Sequence, residues 1–128
     1  MKKELNDEIN NAISLIYKDF FVECEDIMLA EFGIKLDYLK VKSQTKPLPY
    51  LRAIYTHYCL NKGVPIKVIA KRLDMNNATP LAYWRNKYDD SYKYNEDFKV
   101  LADRFNKRLK EKENGIQETN VKKEKRRF

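Results

Sequence analysis

The stretch from Pro65 to Tyr88, PIKVIAKRLDMNNATPLAYWRNKY, contains two short apolar segments separated by a polar turn. Pro65 and Pro80 stand near the start of each segment, a position that tolerates proline because the first N–H groups of a helix have no intrahelical partner. We therefore predict helices over 65–73 and 80–88. Their spacing is typical of a helix-turn-helix, whose second helix enters the major groove of DNA. An ordinary helical hairpin has the same spacing and is the alternative.

The residues around the start of the second predicted helix are suited to reading base edges. Asn76, Asn77, Thr79 and Tyr83 all carry side chains that can donate or accept hydrogen bonds there. We also expect the Thr79 hydroxyl to cap the helix by accepting from a free backbone N–H group. These four residues are the predicted base contacts.

The N-terminal quarter of the chain has a helical pattern of its own. Between residues 4 and 31 the apolar residues recur mostly at steps of three and four, and Gly33 follows as a helix stop. Phe21 and Val22 shift the apolar face, and Phe20 and Phe21 are candidates for an exposed dimerisation surface. The alternative is that this segment simply covers the core.

The remaining segments alternate between loops and helices. Residues 40–50 contain two prolines and no periodicity, which predicts an extended basic loop, and residues 51–61 have an apolar helical face. We predict a polar loop over 89–94. A last helix begins at Asn95, where the acidic residues that follow favour the positive end of the helix dipole. Residues 114–128 have no apolar face, which predicts disorder.

Together these segments predict one all-α domain of five or six helices. It has a helical extension over 1–31, a helix-turn-helix domain over 32–113 and a disordered basic tail over 114–128. A chain of 128 residues with 43% hydrophobic and 35% charged residues holds one modest core, which excludes a multidomain enzyme. No apolar run approaches the length of a membrane span or of a signal-peptide core, so we expect a cytoplasmic protein without membrane contact.

Charge is unevenly distributed along the chain. The net charge is −5 over residues 1–31, +9 over 32–114 and +3 over 115–128, giving +7 in total. The basic middle and tail would attract a polyanion such as nucleic acid. A solvated, lysine-rich surface is the alternative interpretation.

Catalytic, metal-binding and cofactor-binding patterns are missing from the sequence. His57 is the only histidine and lies inside a predicted helix without a suitably spaced nucleophile, so we expect it to be packed rather than catalytic. Cys24 and Cys59 are not part of a CxxC motif and are predicted to be reduced, mostly buried thiols. There is no glycine-rich phosphate loop. We expect a protein that is not an enzyme and uses no cofactor or metal.

Four segments of the chain resemble the C-terminal DNA-binding domain of the bacterial replication initiator DnaA, and more closely its stand-alone copies in Bacteroidetes and their phages. They are Phe32–Ile34, Leu51–Tyr55, Ile69–Leu73 and Asn77–Leu81. The resemblance covers about 80 of the 128 residues. It implies a Trp-repressor-like fold with a helix-turn-helix and a preceding basic loop. It also implies that the recognition helix binds the major groove of double-stranded DNA and that the basic loop binds the minor groove. It also implies that Arg52 lies against DNA.

The residues that read bases in the family are largely replaced in this chain. Gln44 stands where the family favours a minor-groove arginine, and Tyr83 replaces a histidine of the recognition helix. We therefore do not transfer the family's target sequence. Sequence-independent phosphate contact is the prediction for the following basic residues: Lys42, Lys46, Arg52, Lys71, Arg72 and Lys87.

These changes also favour a rival function. In it, a phage or mobile-element protein uses the DnaA-like scaffold to bind and inhibit another protein, for example as an anti-CRISPR or anti-repressor. The acidic, aromatic N-terminal segment would suit such a protein partner or a homodimer.

Overall fold

The computed structural model describes the backbone of residues 8, 9, 12, 13 and 15–125, and the side chains of those residues up to 113. Within this part of the chain the regular structure is entirely helical, which confirms the all-α prediction. No helix in it is long and apolar enough to cross a membrane. The helices are α1 (Lys18–Phe32), α2 (Leu36–Leu39), α3 (Leu48–Asn61), α4 (Ile66–Arg72), α5 (Thr79–Tyr94) and α6 (Glu96–Lys125).

Helix α3 lies at the centre of the fold. Eleven of its 14 residues are buried, and it packs against each of the other five helices. Tyr55, in its middle, is fully buried. A helix that is buried on all sides needs apolar residues around its whole circumference, and the sequence of α3 provides them.

Helix α1 covers one side of this central helix. Phe21, Cys24 and Ile27, spaced by three residues, all point into the core. The ring of Phe21 is stacked on Tyr55, with 6.3 Å between the ring centroids. The predicted exposed surface at Phe20 and Phe21 is therefore wrong: Phe21 is 1% exposed and Phe20 is partly buried. The buried face of α1 therefore belongs to the common core.

Two helix boundaries near the basic loop have clear local causes. Gly33 adopts the left-handed conformation (φ 68°) just after α1, which confirms the predicted helix stop. Helix α3 begins at Leu48 rather than at the predicted Leu51. Pro49 lies in its first turn, where its missing N–H group breaks no helical hydrogen bond. The basic loop is thus confined to residues 40–47.

Residues 89–94, predicted as a loop, continue α5. They contain neither glycine nor proline, and the Tyr92 hydroxyl donates to Asp103 Oδ1 of α6 at 2.5 Å, which holds this turn in place. The helix ends at Asn95, whose Oδ1 accepts from the Phe98 N–H group at 3.1 Å. This contact caps the start of α6.

Helix α6 is longer than predicted. Its backbone is helical from Glu96 to Lys125 and passes through the Asn114–Gly115 pair. The disorder predicted for 114–128 is wrong for 114–125, while 126–128 lie outside the described residues. A glycine inside a helix costs only about 1 kcal/mol relative to alanine, and the Lys, Glu and Gln residues nearby favour helix.

Candidate nucleic-acid interface

Helices α4 and α5 form a two-helix unit joined by residues 73–78. Ile69 on α4 and Leu81 on α5 are fully buried, and both helices pack on α3. Asp74 adopts a left-handed conformation (φ 58°), which turns the chain sharply after α4. Aspartate is one of the few residues other than glycine that visits this conformation readily. Both predicted helices are thus present, with a tight turn between them.

The start of α5 is capped one residue earlier than expected. Ala78 is the N-cap, and the Asn77 Oδ1 atom accepts from the Thr79 N–H group at 3.0 Å. The predicted capping role of Thr79 is therefore wrong, because Thr79 is already the first residue of the helix. Its side chain is exposed. Asn77 has a structural role as well as its predicted role at base edges.

Arg52 does not extend into solvent, although it was predicted to contact phosphate. It is 6% exposed, and its guanidinium donates to three backbone carbonyls that precede it in the chain. Nε donates to Leu39 O at 2.8 Å, Nη1 donates to Ser43 O at 3.0 Å, and Nη2 donates to Val41 O. Burial lowers the pKa of Arg52, but an arginine remains charged in any protein. The phosphate role is corrected: Arg52 holds the basic loop.

A groove brings the basic loop next to the turn between α4 and α5. Its volume is about 290 Å³. Lys42 and Gln44 of the loop and Asn76 and Asn77 of the turn all line it. Gln44 was identified from the sequence only as a departure from the family pattern. Its position between two basic loop residues is the signal that could have marked it as a candidate contact to DNA. Apolar residues also line the groove, among them Leu39, Leu73, Leu81 and Trp84.

Most of the other predicted contacts are exposed but lie outside this groove. Lys46 lies beside Tyr50 and Asp97 of α6 in a separate depression. Its Nζ atom is 5.4 Å from the Tyr50 ring centroid, and its interaction with Tyr50 raises the pKa of Lys46. The exposed residues of the predicted interface are Lys42, Lys46, Lys71, Asn76, Asn77, Thr79, Tyr83 and Lys87.

The charges around the groove are not all positive. Asp74 lines it together with Lys40 and Lys42. No carboxylate of the described residues forms an ion pair with Lys42, Lys71 or Lys87. These lysines therefore keep their charges available to a polyanion.

Arg72 is already bound within the protein. Its Nη2 atom donates to Glu25 Oε1 at 2.9 Å, and its Nε atom donates to Glu25 Oε2 at 3.1 Å. Its guanidinium carbon is also 5.4 Å from the centroid of the Phe21 ring. The hydrogen bonds to Glu25 raise the pKa of Arg72. The predicted phosphate contact of Arg72 is thus replaced by a contact between α4 and α1.

The other chemistry-bearing residues are packed in the structure. His57 is stacked on Tyr88, with 3.6 Å between the ring centroids, which agrees with the predicted packing. Cys24 and Cys59 are both buried free thiols, as predicted. Among the described residues there is no group of three or more potential metal ligands.

Comparison of the chain with protein-family models, with curated proteins and with solved structures finds no match.

Proposed function

We propose that this protein binds double-stranded DNA, without catalysing a reaction, through the α4–α5 unit and the basic loop. The observation that carries the proposal is the groove that loop residues Lys42 and Gln44 line together with Asn76 and Asn77. Residues far apart in the sequence thereby share one face. That face combines ammonium groups, which suit phosphates, with amide groups, which suit base edges.

The phosphate-binding set is smaller than the sequence predicted. Arg52 and Arg72 have their donors bound within the protein. Four exposed lysines remain: Lys42, Lys46, Lys71 and Lys87. Phosphate binding releases counterions, and four contacts give a log–log salt slope of about −3.6, at about −0.9 per contact. The reduced set therefore makes a definite prediction.

Fluorescence anisotropy of a labelled random-sequence duplex tests this proposal. The protein is titrated at several salt concentrations between about 50 and about 200 mM, and an unlabelled DnaA-box duplex serves as competitor. We expect a slope near the predicted value, and Lys42→Ala reduces its magnitude by about 0.9. Lys112→Ala is the matched control, because Lys112 is exposed and lies in a different groove between α1 and α6.

Two outcomes overturn the proposal. One is the absence of binding at the lowest salt concentration. The other is an equal effect of Lys42→Ala and Lys112→Ala, which would mean that binding reflects only the net charge of the chain. Preference for the DnaA-box duplex over the random duplex would show that the altered residues still read that sequence.

Binding of a protein partner is the second candidate function. The presence of Asp74 and of apolar residues such as Trp84 in the groove favours it, because an apolar side chain of a partner could enter there. A variant that tests this candidate must change an exposed residue, so Leu81→Asp is unsuitable because Leu81 is fully buried. Val41→Asp changes an exposed residue of the same groove. If a protein partner binds in the groove, a pull-down with this variant should lose the partner that the wild-type chain recovers.

A further inference from the structure

The guanidinium of Arg52 binds alternate carbonyls of the segment that leads into and forms the basic loop. The acceptors are Leu39, Val41 and Ser43, at sequence separations of 13, 11 and 9 residues. The segment therefore curves around a single side chain. Arg52 itself belongs to α3, whose packing on every other helix makes it a rigid base.

Few other hydrogen bonds hold the loop. Within the loop, Val41 N donates to Tyr38 O at 3.2 Å, and Thr45 N donates to Ser43 Oγ at 3.1 Å. At its two ends, Lys40 N donates to Leu36 O, and Thr45 O and Pro47 O accept from Leu48 N and Leu51 N at the start of α3. All of these contacts join residues at most four positions apart, so none of them ties the loop to a distant part of the chain. Arg52 supplies the described side-chain hydrogen bonds between the loop backbone and α3.

Arginine has the geometry that this arrangement requires. Its planar guanidinium presents five N–H donors in fixed directions, whereas lysine has three donors on one nitrogen atom. A lysine at this position would preserve the positive charge but could not reach the three separated carbonyls in the same way. The conservative substitution Arg52→Lys therefore keeps the positive charge but removes hydrogen bonds that attach the loop to α3.

We propose that Arg52 is a positioning residue for DNA binding, which holds the basic loop so that Lys42 and Gln44 line the same groove as Asn76 and Asn77. The inference rests on the proposed function. Arg52 contributes through the shape of the loop and does not bind a phosphate itself. A loop held in advance loses less conformational freedom when it binds, which increases affinity.

The Arg52→Lys variant tests the inference through two measurements. In the anisotropy titration we expect the affinity for the random duplex to fall about tenfold, with the salt slope unchanged, because two or more loop hydrogen bonds are lost and no phosphate contact is lost. Limited trypsin digestion of the free protein should be faster after Lys40 and Lys42, in the released loop. Cleavage after Lys112, which is exposed and lies away from the loop, serves as the internal reference.

The outcomes separate this inference from the proposed function. If the wild-type chain does not bind the duplex, the proposed function fails. If the wild type binds and Arg52→Lys keeps its affinity, the positioning role is overturned. It is also overturned if trypsin cleaves the wild type and the variant at equal rates after Lys40 and Lys42, because Arg52 then does not hold the loop.

A measurement on the wild-type chain covers the case in which Arg52→Lys fails to fold. The Nε–H proton of Arg52 donates to Leu39 O in the buried loop attachment, so NMR should find it protected from exchange with water in the free protein. We expect the protection to persist when the duplex is added. Rapid exchange in the free protein, or loss of the protection on binding, overturns the inference.

Discussion

Arg72 and Glu25 form a two-point ion pair across 47 positions of the sequence. The pair joins α4 to α1, and the Tyr55 hydroxyl of α3 donates to the same carboxylate at 2.6 Å. Glu25 therefore links three helices. This carboxylate therefore adds polar contacts to the apolar packing that holds the first helix of the candidate DNA-binding unit on the core.

Replacing Glu25 should destabilise the protein. Glu25→Gln removes the negative charge and leaves Arg72 and Tyr55 with a weaker acceptor, so we expect a loss of about 1 to 2 kcal/mol in the free energy of unfolding. This loss is at the low end of the free energy expected for hydrogen bonds to charged groups, because the Arg72 side chain is 31% exposed and solvent partly screens the pair. Urea denaturation measures the change. Asp26→Asn, at an exposed position of the same helix, is the control, and equal stability of the two variants would contradict the prediction.

The capping contact of Asn77 separates stability from DNA binding. Asn77→Ala removes the acceptor for the Thr79 N–H group and should cost about 0.5 to 1 kcal/mol of stability. Asn77→Asp keeps an acceptor at a helix N-terminus, where a negative charge is favourable, so its stability should be preserved. The added charge should nevertheless weaken duplex binding. Thermal unfolding and anisotropy of both variants check this, and preserved binding by Asn77→Asp would exclude Asn77 from the interface.

Periodic apolar patterns predicted the helices well but their ends less well. The core faces of α1 and α6 repeat at helical spacing, and Gly33 and Pro65 mark local boundaries that depend only on backbone chemistry. The end of α5 was misplaced because residues 89–94 are polar. Their helix depends on contacts such as Tyr92 with Asp103, which lies 11 residues away. Sequence patterns do not show such tertiary contacts.

The candidate site was harder to predict for a related reason. The sequence shows which residues are basic, but it does not show which of them are buried. Arg52 and Arg72 carry the same side chain as any phosphate-binding arginine, and only the packing of the loop and of α1 directs their donors inward. The exposed residues at the start of α5 were easier to identify, because helix starts and turns lie at the surface.

The two cysteines should be unreactive in the folded protein. Cys24 and Cys59 are each 0% exposed, and burial raises the pKa of the Cys24 thiol well above its usual range. The thiolate is the reactive form, so both access and ionisation oppose modification of Cys24, and burial denies a reagent access to Cys59. A disulfide-exchange reagent should label neither thiol quickly in the native chain and both in urea. Rapid labelling of one thiol in the native chain would contradict the buried packing.

Stability should fall in mildly acidic solution because of His57. Removal from water lowers the pKa of His57 below its ordinary value of 6.5, and Asp89 only partly opposes the effect. The unfolded chain therefore binds a proton more readily than the folded chain. The contribution of neutral His57 to the free energy of unfolding is fully present above pH 6.5. It is lost as the pH falls from 6.5 through the lowered pKa of the folded chain.

The His57→Phe variant isolates this contribution, because phenylalanine can keep the ring stack on Tyr88 but cannot be protonated. Urea denaturation of both proteins at about pH 7.5 and about pH 5.5 measures the difference. We expect the free energy of unfolding of the wild type to fall more between these two values than that of the variant. The acidic residues titrate mainly at lower pH and are common to both chains, so they cancel in the comparison. An equal fall in both proteins would mean that His57 is protonated as easily in the fold as in the unfolded chain.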